Sequence, residues 1–370
     1  MFDRMKRYQL RSQTRDEKMK NLINSVKISL LFLFVILNLS CSKENSSNPV
    51  EPVDQTKLDA AFSRAAGMTN LKSLVVSRNG TIVKEAYFNG GGADLTHDVR
   101  SVTKSVVAIL TGIAIDKGLI KSSEQPIDSF IRPLVPDLST EKGNITIGHL
   151  LSMSSGFEWN ELNSEFGYNN WVLAENQVQY LFAKPLTSLP GLTFTYNSAA
   201  LHILSVIISR AAKMQTLEFA NIHFFERLEM GARNWQTDRQ GYNNGGAGLE
   251  LTPREMIKIG NLILDKGEYM GRRIVSQEWI TRLKAHQISI ADNTMNYANG
   301  YGFGWWTGEG SKGKYAFANG WGGQFIVVVP DYKLVIVATN KWSGVGSSVA
   351  NQQWMATMNL IMSDVLGAFN

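Results

Sequence analysis

Apolar and polar residues alternate near both ends of the chain in patterns that predict β-strands. Residues 74–77 and 81–83 flank Asn79-Gly80, a dipeptide typical of hairpin turns. Four further strands are predicted towards the C terminus, at residues 301–307, 314–318, 324–329 and 334–339. The chain therefore begins and ends with strand-forming sequence.

The rest of the chain has the apolar spacing of helices. Helices are predicted at residues 56–67, 101–118 and 347–366, and the stretch 127–230 is predicted to be mainly helical with Pro/Gly breaks. Residues 252–255 read Thr-Pro-Arg-Glu, a capping box with proline at the first helical position. They predict another helix that ends near Asp265.

These elements predict an α/β (α+β) fold. Because strands at both ends flank a helical middle, the simplest architecture is one antiparallel sheet flanked by helices, with the middle inserted as a helical lobe. The folded domain is expected at residues 55–370, with the sheet part at about 55–125 and 245–370 and the helical lobe at about 126–244. A cleft for a small ligand is expected between the two parts.

The N-terminal segment has the pattern of an export signal. It is basic and leads into an apolar run, residues 28–39, that is too short to span a bilayer comfortably and ends next to Cys41. We expect a lipoprotein signal peptide at residues 1–40, a lipid on the Cys41 sulfur and a flexible tether at residues 41–54. The mature protein would then lie in the cell envelope as a membrane-anchored bacterial lipoprotein, on the periplasmic side.

Two points about this segment stay open. An uncleaved N-terminal anchor is the alternative, because Asn38 stands where such signals usually carry an aliphatic residue. Met1 and Met19 are both candidate start residues. Cys41 is the only cysteine, so the folded domain forms no internal disulfide once this sulfur carries a lipid.

Charge and composition exclude a nucleic-acid partner. The 370 residues are 44% hydrophobic and 19% charged, as is ordinary for a folded protein. The formal charge is +5, and the first forty residues alone hold eight Lys/Arg against three Asp/Glu, which is also +5. The remainder is near neutral and has no broad positive field to attract a polyanion.

A Ser-x-x-Lys sequence at the start of an apolar helix is the main candidate for chemistry. The spacing of three puts the Ser101 hydroxyl and the Lys104 amine on one helical face. Burial lowers the pKa of a lysine and so makes it a usable base near neutral pH. The alternative is that Ser101 only caps the helix while Lys104 extends to solvent.

Two further segments carry candidate residues. Tyr196 lies on a predicted loop before a helix, where its phenol could relay a proton beside Lys104; the alternative is an ordinary packing tyrosine. Residues 319–324, Asn-Gly-Trp-Gly-Gly-Gln, precede a strand. An N–H there could complete an oxyanion hole with the N–H of Ser101, or the glycines could form only a turn.

Together these segments resemble the penicillin-recognising serine hydrolases, within them the class C β-lactamase-related branch of esterases, D-aminopeptidase-like enzymes and amide hydrolases. The similarity runs from about residue 74 to about residue 330 and includes Ile-Gly-His-Leu-Leu-Ser-Met-Ser-Ser-Gly from residue 147. The resemblance implies a β-lactamase/transpeptidase-like fold. It also implies that Ser101 is the nucleophile, Lys104 its partner and Tyr196 the first residue of the family's Tyr-x-Asn.

The sequence departs from the family at two substrate contacts. Ser198 stands where the Tyr-x-Asn motif has asparagine, and Ala318-Asn319-Gly320 stands where Lys-Thr-Gly or His-x-Gly is usual. These changes put antibiotic hydrolysis and peptidoglycan recognition in doubt. The candidate substrate-binding residues are Ser198, Gly320, Trp321, Gly322 and Gly323.

The expected function is a serine hydrolase, an esterase or amidase that cleaves a small-molecule substrate through an acyl-enzyme on Ser101. No cofactor is needed, and the five histidines show no metal-ligand spacing. The alternatives are a true β-lactamase or D-alanyl carboxypeptidase, and a penicillin-binding-type receptor that does not turn over. The sequence leaves open the natural substrate, the oligomeric state and whether Lys104 or Tyr196 is the working base.

Overall fold

A computed structural model of the chain describes residues 53–162, 167–291 and 295–369. The predicted signal peptide, the tether up to residue 52 and the lipidation site at Cys41 lie outside the described residues and stay predictions. No helix in the described part is long and apolar enough to cross a membrane.

The described residues form one large antiparallel sheet and two small ones. The strands are β1 (Leu71–Arg78), β2 (Thr81–Tyr87), β3 (His97–Asp98), β4 (Glu250–Leu251), β5 (Glu268–Tyr269), β6 (Arg272–Arg273), β7 (Ile288–Ser289), β8 (Gly300–Tyr301), β9 (Trp306–Gly310), β10 (Gly313–Gly320), β11 (Gln324–Val329) and β12 (Leu334–Asn340). Eight of them form the large sheet in the order β2-β1-β12-β11-β10-β9-β8-β7.

Strands from both ends of the chain pair with each other in this sheet. Strand β1 pairs antiparallel with β12, so that Val76 lies opposite Ile336 and Leu74 opposite Ala338. Both strands are buried over almost their whole length, and their buried central residues are apolar, at 74–76 in β1 and 334–338 in β12. The predicted antiparallel sheet joining the two ends is confirmed.

Helices cover this sheet and fill the middle of the chain. They are α1 (Gln55–Ala66), α2 (Val102–Asp116), α3 (Asp128–Ile131), α4 (Thr140–Gly143), α5 (Ile147–Leu151), α6 (Tyr168–Leu173), α7 (Gln177–Phe182), α8 (Ser198–Ala212), α9 (Thr216–Ala220), α10 (Pro253–Leu264), α11 (Gln277–Lys284) and α12 (Ser347–Asn359). The predicted capping box at the start of α10 is present, with Thr252 and Glu255 bonding reciprocally.

Helix α2 lies in the core, between the sheet and the helices of the middle. It packs against α8, β10 and α11, and its residues from Val102 to Ala114 are all buried. A mainly apolar helix of this kind is buried on all sides. The chain thereby holds residue 101, just before the first helical residue, at a fixed place between the two parts of the fold.

One predicted strand is wrong in its extent. Residues 301–307 form no single strand, because Gly302 donates to the carbonyl of Trp305 (2.8 Å) and closes a tight turn between β8 and β9. Gly304 in this turn has φ +72°, and a Cβ there would lie 2.7 Å from the Cβ of Ala108. The apolar residues of the segment reflect its burial, whereas the turn depends on Gly302 and Gly304, which the strand prediction did not take into account.

Candidate active site

Ser101 is the residue that precedes helix α2, and its hydroxyl is not used as a helix cap. Its backbone is already helical (φ −70°, ψ −5°), and its side chain accepts no capping hydrogen bond. The alternative that this serine serves only as a cap is therefore wrong. Its N–H also finds no acceptor in the part of the chain that the structure describes. Both groups are available to a substrate.

The Lys104 amine contacts the Ser101 hydroxyl directly. Lys104 Nζ lies 2.8 Å from Ser101 Oγ and donates to the carbonyl of Gly246 at 2.7 Å. The lysine is 1% exposed, so the alternative that it extends to solvent is also wrong. Burial lowers the pKa of Lys104 to about 7, because water no longer stabilises the ammonium.

Gly246 belongs to a loop that closes over this pair. The Asn244 side chain accepts from the N–H of Gly246 at 2.8 Å and so fixes the loop. A Cβ at residue 246 would lie 2.9 Å from the Cβ of Ser198, which is why glycine suits this position. The Gly-Ala-Gly-Leu stretch that begins here thus supplies a carbonyl that holds the lysine amine.

Tyr196 completes the cluster from the loop before helix α8. The N–H of Thr195 donates to Met153 O at 2.7 Å, and Asn197 caps α8 through Ala200, so the loop is fixed on both sides of the tyrosine. Lys104 Nζ lies 5.0 Å from the centroid of the Tyr196 ring. The structure therefore brings all three predicted catalytic residues together.

The tyrosine is held as a neutral phenol. Burial raises the pKa of Tyr196 well above its ordinary value, and the Glu161 carboxylate raises it further, while interaction with Ser101 lowers it. The opposite pKa directions of Lys104 and Tyr196 give a neutral amine beside a protonated phenol at neutral to mildly alkaline pH. Tyr196 also stacks on Trp306, with ring centroids 5.6 Å apart.

Ser198 is engaged by a carboxylate that the sequence did not reveal. Its hydroxyl donates to Glu161 Oε1, and its N–H donates to Glu161 Oε2 at 3.0 Å. Trp159 Nε1 donates to the same carboxylate at 2.6 Å. Three hydrogen bonds therefore hold the Glu161 carboxylate beside the candidate cluster, on a loop without any periodic sequence signal.

The predicted glycine segment forms the turn between β10 and β11. Gly320 ends β10, and a Cβ there would lie 2.3 Å from the carbonyl oxygen of Val99, two residues before the nucleophile. Gly322 and Gly323 have φ +71° and +93°, and Trp321, between Gly320 and Gly322, is half-buried. The segment thus approaches the chain that leads into Ser101.

Arg100 is a second charged residue that sequence reasoning missed. It has a left-handed backbone (φ +51°), and its N–H donates to Asp98 Oδ1 at 2.8 Å. Its guanidinium lies 4.4 Å from the ring centroid of Trp342 and 5.7 Å from that of Tyr168. No spacing rule marks it, although it is next to the motif serine.

Comparison with known proteins agrees with this geometry. The Beta-lactamase family profile matches residues 61–356. The chain belongs to the β-lactamase family. It is 24% identical over 357 residues to a 6-aminohexanoate-dimer hydrolase of Paenarthrobacter ureafaciens, covering 89% of this chain and 87% of that one.

Two solved structures share the fold. A putative 6-aminohexanoate-dimer hydrolase from Bacillus anthracis matches with a TM-score of 0.64 and 22% identity, covering 81% of this chain and 82% of that chain. EstCE1, a hydrolase with promiscuous acyltransferase activity, matches with a TM-score of 0.65 and 16% identity over 82% of this chain and 98% of its own. The predicted β-lactamase/transpeptidase-like fold is confirmed.

Proposed function

We propose that this β-lactamase-family protein is a serine hydrolase that cleaves ester or amide bonds of a small substrate through an acyl-enzyme on Ser101. The observation that carries the proposal is the contact of 2.8 Å between Lys104 Nζ and Ser101 Oγ inside a buried cluster. A nucleophile within hydrogen-bonding distance of a base is what such acyl transfer requires.

Acylation follows from the positions of these groups. Neutral Lys104 takes the proton of Ser101 Oγ while that oxygen forms a bond to the substrate carbonyl carbon, and the carbonyl electrons move to its oxygen. The free N–H of Ser101 then stabilises the developing oxyanion, together with an N–H of the turn after β10. Collapse of this tetrahedral intermediate breaks the ester or amide bond.

Tyr196 and Lys104 return the proton to the leaving group. The pKa of Tyr196 is raised and that of Lys104 is lowered, so the pair favours lysine as the base and tyrosine as the proton relay. The departing alkoxide or amine takes the proton that Lys104 received from Ser101. Water then attacks the acyl-enzyme and gives a proton to Lys104, which passes it to Ser101 Oγ as the bond between that oxygen and the acyl carbon breaks. Carboxylic acid and free Ser101 result.

The substrate class is proposed from the altered family positions. Ala318, near the end of β10, is fully buried and offers only a methyl group. The family usually has a lysine or histidine at this position, which would bind a substrate carboxylate. One lost charge-assisted hydrogen bond to a carboxylate is worth about tenfold to a hundredfold in binding. The name of the P. ureafaciens relative, a 6-aminohexanoate-dimer hydrolase, also supports an open-chain substrate rather than a β-lactam.

A substrate comparison tests this proposal. Purified protein is assayed with p-nitrophenyl butyrate, an aminoacyl anilide and a chromogenic cephalosporin. We expect kcat/KM for the ester or the anilide to exceed that for the cephalosporin by at least about tenfold. Equal or greater efficiency on the cephalosporin would indicate a β-lactamase, and a single stoichiometric burst without turnover would indicate a receptor.

A further inference from the structure

Arg100 places a cation beside Ser101, and the acyl transfer proposed above gives this cation no role. It directly precedes Ser101, and its charge is close enough to lower the pKa of Lys104. Its φ of +51° is uncommon for a residue with a side chain. The Asp98 carboxylate holds this backbone conformation through the Arg100 N–H.

Aromatic stacking fixes the orientation of the guanidinium. Trp342, 4.4 Å away, covers one face, and the Tyr168 ring lies at 5.7 Å. Trp342 Nε1 donates to Asp98 O at 3.0 Å, so the indole itself is anchored. Stacking occupies the face of a guanidinium and leaves the N–H groups at its edge to recognise planar anions.

The protein engages only part of the guanidinium edge, through the Asp98 carboxylate and the Tyr168 hydroxyl. The ion pair with Asp98 is a single long contact, 3.4 Å from the Arg100 terminal nitrogen, while the other Asp98 oxygen accepts from the backbone. Arg100 Nε is buried and has no acceptor in the described parts of the chain. The side chain is 18% exposed, so part of the guanidinium remains accessible from solvent.

The charges around the nucleophile give this cation a role in recognition. The strand position that carries a cation or imidazole elsewhere in the family holds Ala318. Gly320 approaches Val99, and a Cβ at Gly322 would lie 3.0 Å from the Cβ of Trp342. The Arg100 guanidinium, stacked on this indole, therefore lies near the same end of β10 but comes from the nucleophile's own loop.

We propose that Arg100 determines specificity by binding a carboxylate carried by an open-chain ester or amide substrate. The inference rests on the proposed function, since it adds a substrate feature to that reaction. An open chain can bring its carboxylate to Arg100 by rotation about single bonds. The fused rings of a β-lactam fix the carboxylate relative to the scissile carbonyl and do not allow this adjustment.

Matched substrates test the proposal. The p-nitrophenyl ester of adipic acid, with one free carboxylate, is compared with the ester in which that carboxylate is a neutral carboxamide. The wild-type protein should prefer the anionic ester by at least about tenfold in kcat/KM, mainly through KM. In Arg100→Gln this preference should fall to about one, and Arg100→Lys should retain only part of it, because lysine lacks the planar fork.

Controls separate this inference from the proposed function. Arg282 lies over a Phe303 ring at 5.4 Å and pairs with Glu124, so Arg282→Gln removes a comparable stacked cation away from Ser101 and should keep the wild-type preference. Each preference is the ratio of two kcat/KM values measured on the same variant. A change in the reactivity of Lys104 affects both esters equally and therefore cancels in the ratio. Turnover of both esters with no preference, or an unchanged preference in Arg100→Gln, would overturn the role of Arg100 alone. No turnover of either ester would refute the proposed function.

Discussion

The protonation state of Lys104 sets the pH at which the proposed reaction runs. Burial brings its pKa to about 7, and two neighbouring charges act in opposite directions. Glu161 raises the pKa because an anion stabilises the ammonium, whereas Arg100 lowers it by repulsion. The reaction requires the neutral amine, so kcat/KM should rise with pH through a midpoint near 7.

Neutralising each charge should move this midpoint in opposite directions. In Glu161→Gln the ammonium loses its stabilising anion, so the Lys104 pKa and the midpoint should fall. In Arg100→Gln the repulsion is removed, so both should rise. The measurement is kcat/KM of a neutral ester against pH, with exposed Glu158→Gln from the same loop as a control that keeps the wild-type midpoint. Midpoints that stay the same, or that move the other way, would show that Lys104 is not the titrating base.

Only part of this cluster was accessible from sequence. The three-residue spacing predicted that Ser101 and Lys104 share a helical face, because helix geometry is local. Glu161 lies on a loop, and Arg100 has a left-handed backbone conformation. Both affect Lys104 through space, and no periodic pattern in the sequence marks either position. The hydroxyl of Ser198 was predicted to contact substrate, but its bond to Glu161 could be seen only in the folded chain.

The packing of helix α2 shows how tightly the residue that follows Arg100, Ser101, is supported. Gly112 lies in the middle of this helix, and a Cβ there would come within 2.0 Å of the Trp279 indole. Trp279 Nε1 in turn donates to the Ala108 carbonyl at 2.9 Å, which fixes the ring against the helix. The glycine therefore allows α11 to pack closely on α2.

Gly112→Ala should destabilise the protein although alanine is the better helix former. The gain in helix propensity is about 1 kcal/mol, whereas overpacking a core costs about 1 to 3 kcal/mol and shifts the rigid indole. Chemical unfolding monitored by tryptophan fluorescence should show a lower free energy of unfolding. The control is Gly67→Ala at the end of α1, where the nearest atom, Arg64 O, lies 3.4 Å away and φ is −81°. Equal or higher stability of Gly112→Ala would contradict this packing account.

Local signals predicted helices better than they predicted strands. The capping box at Thr252 marks the start of α10 because its hydrogen bonds connect residues three apart. Strands β3 and β4 have two residues each and pair His97 with Leu251, far apart in the chain. Such short pairs contain too few residues to show an alternating pattern, so the sequence could not reveal them.

The overall architecture was predictable because the chain carries its strands at both ends. Because β1 pairs between β2 and β12, the two termini of the domain must meet. This holds for any arrangement of the helices between them. The order of the remaining strands and the packing of α2 depend on long-range contacts and needed the structure. The proposed boundaries of the sheet part and the helical lobe, and the export signal with lipidated Cys41, stay predictions.

Identification of the acylated residue tests the central claim most directly. The purified protein is treated with a fluorophosphonate, and its intact mass and peptide map are measured. One adduct on Ser101 with loss of esterase activity is expected, and Ser101→Ala should take no label and show no turnover. Because the Ser101 side chain makes no capping bond, this variant should keep its fold. Labelling of a different residue, or near-wild-type turnover by Ser101→Ala, would contradict the account.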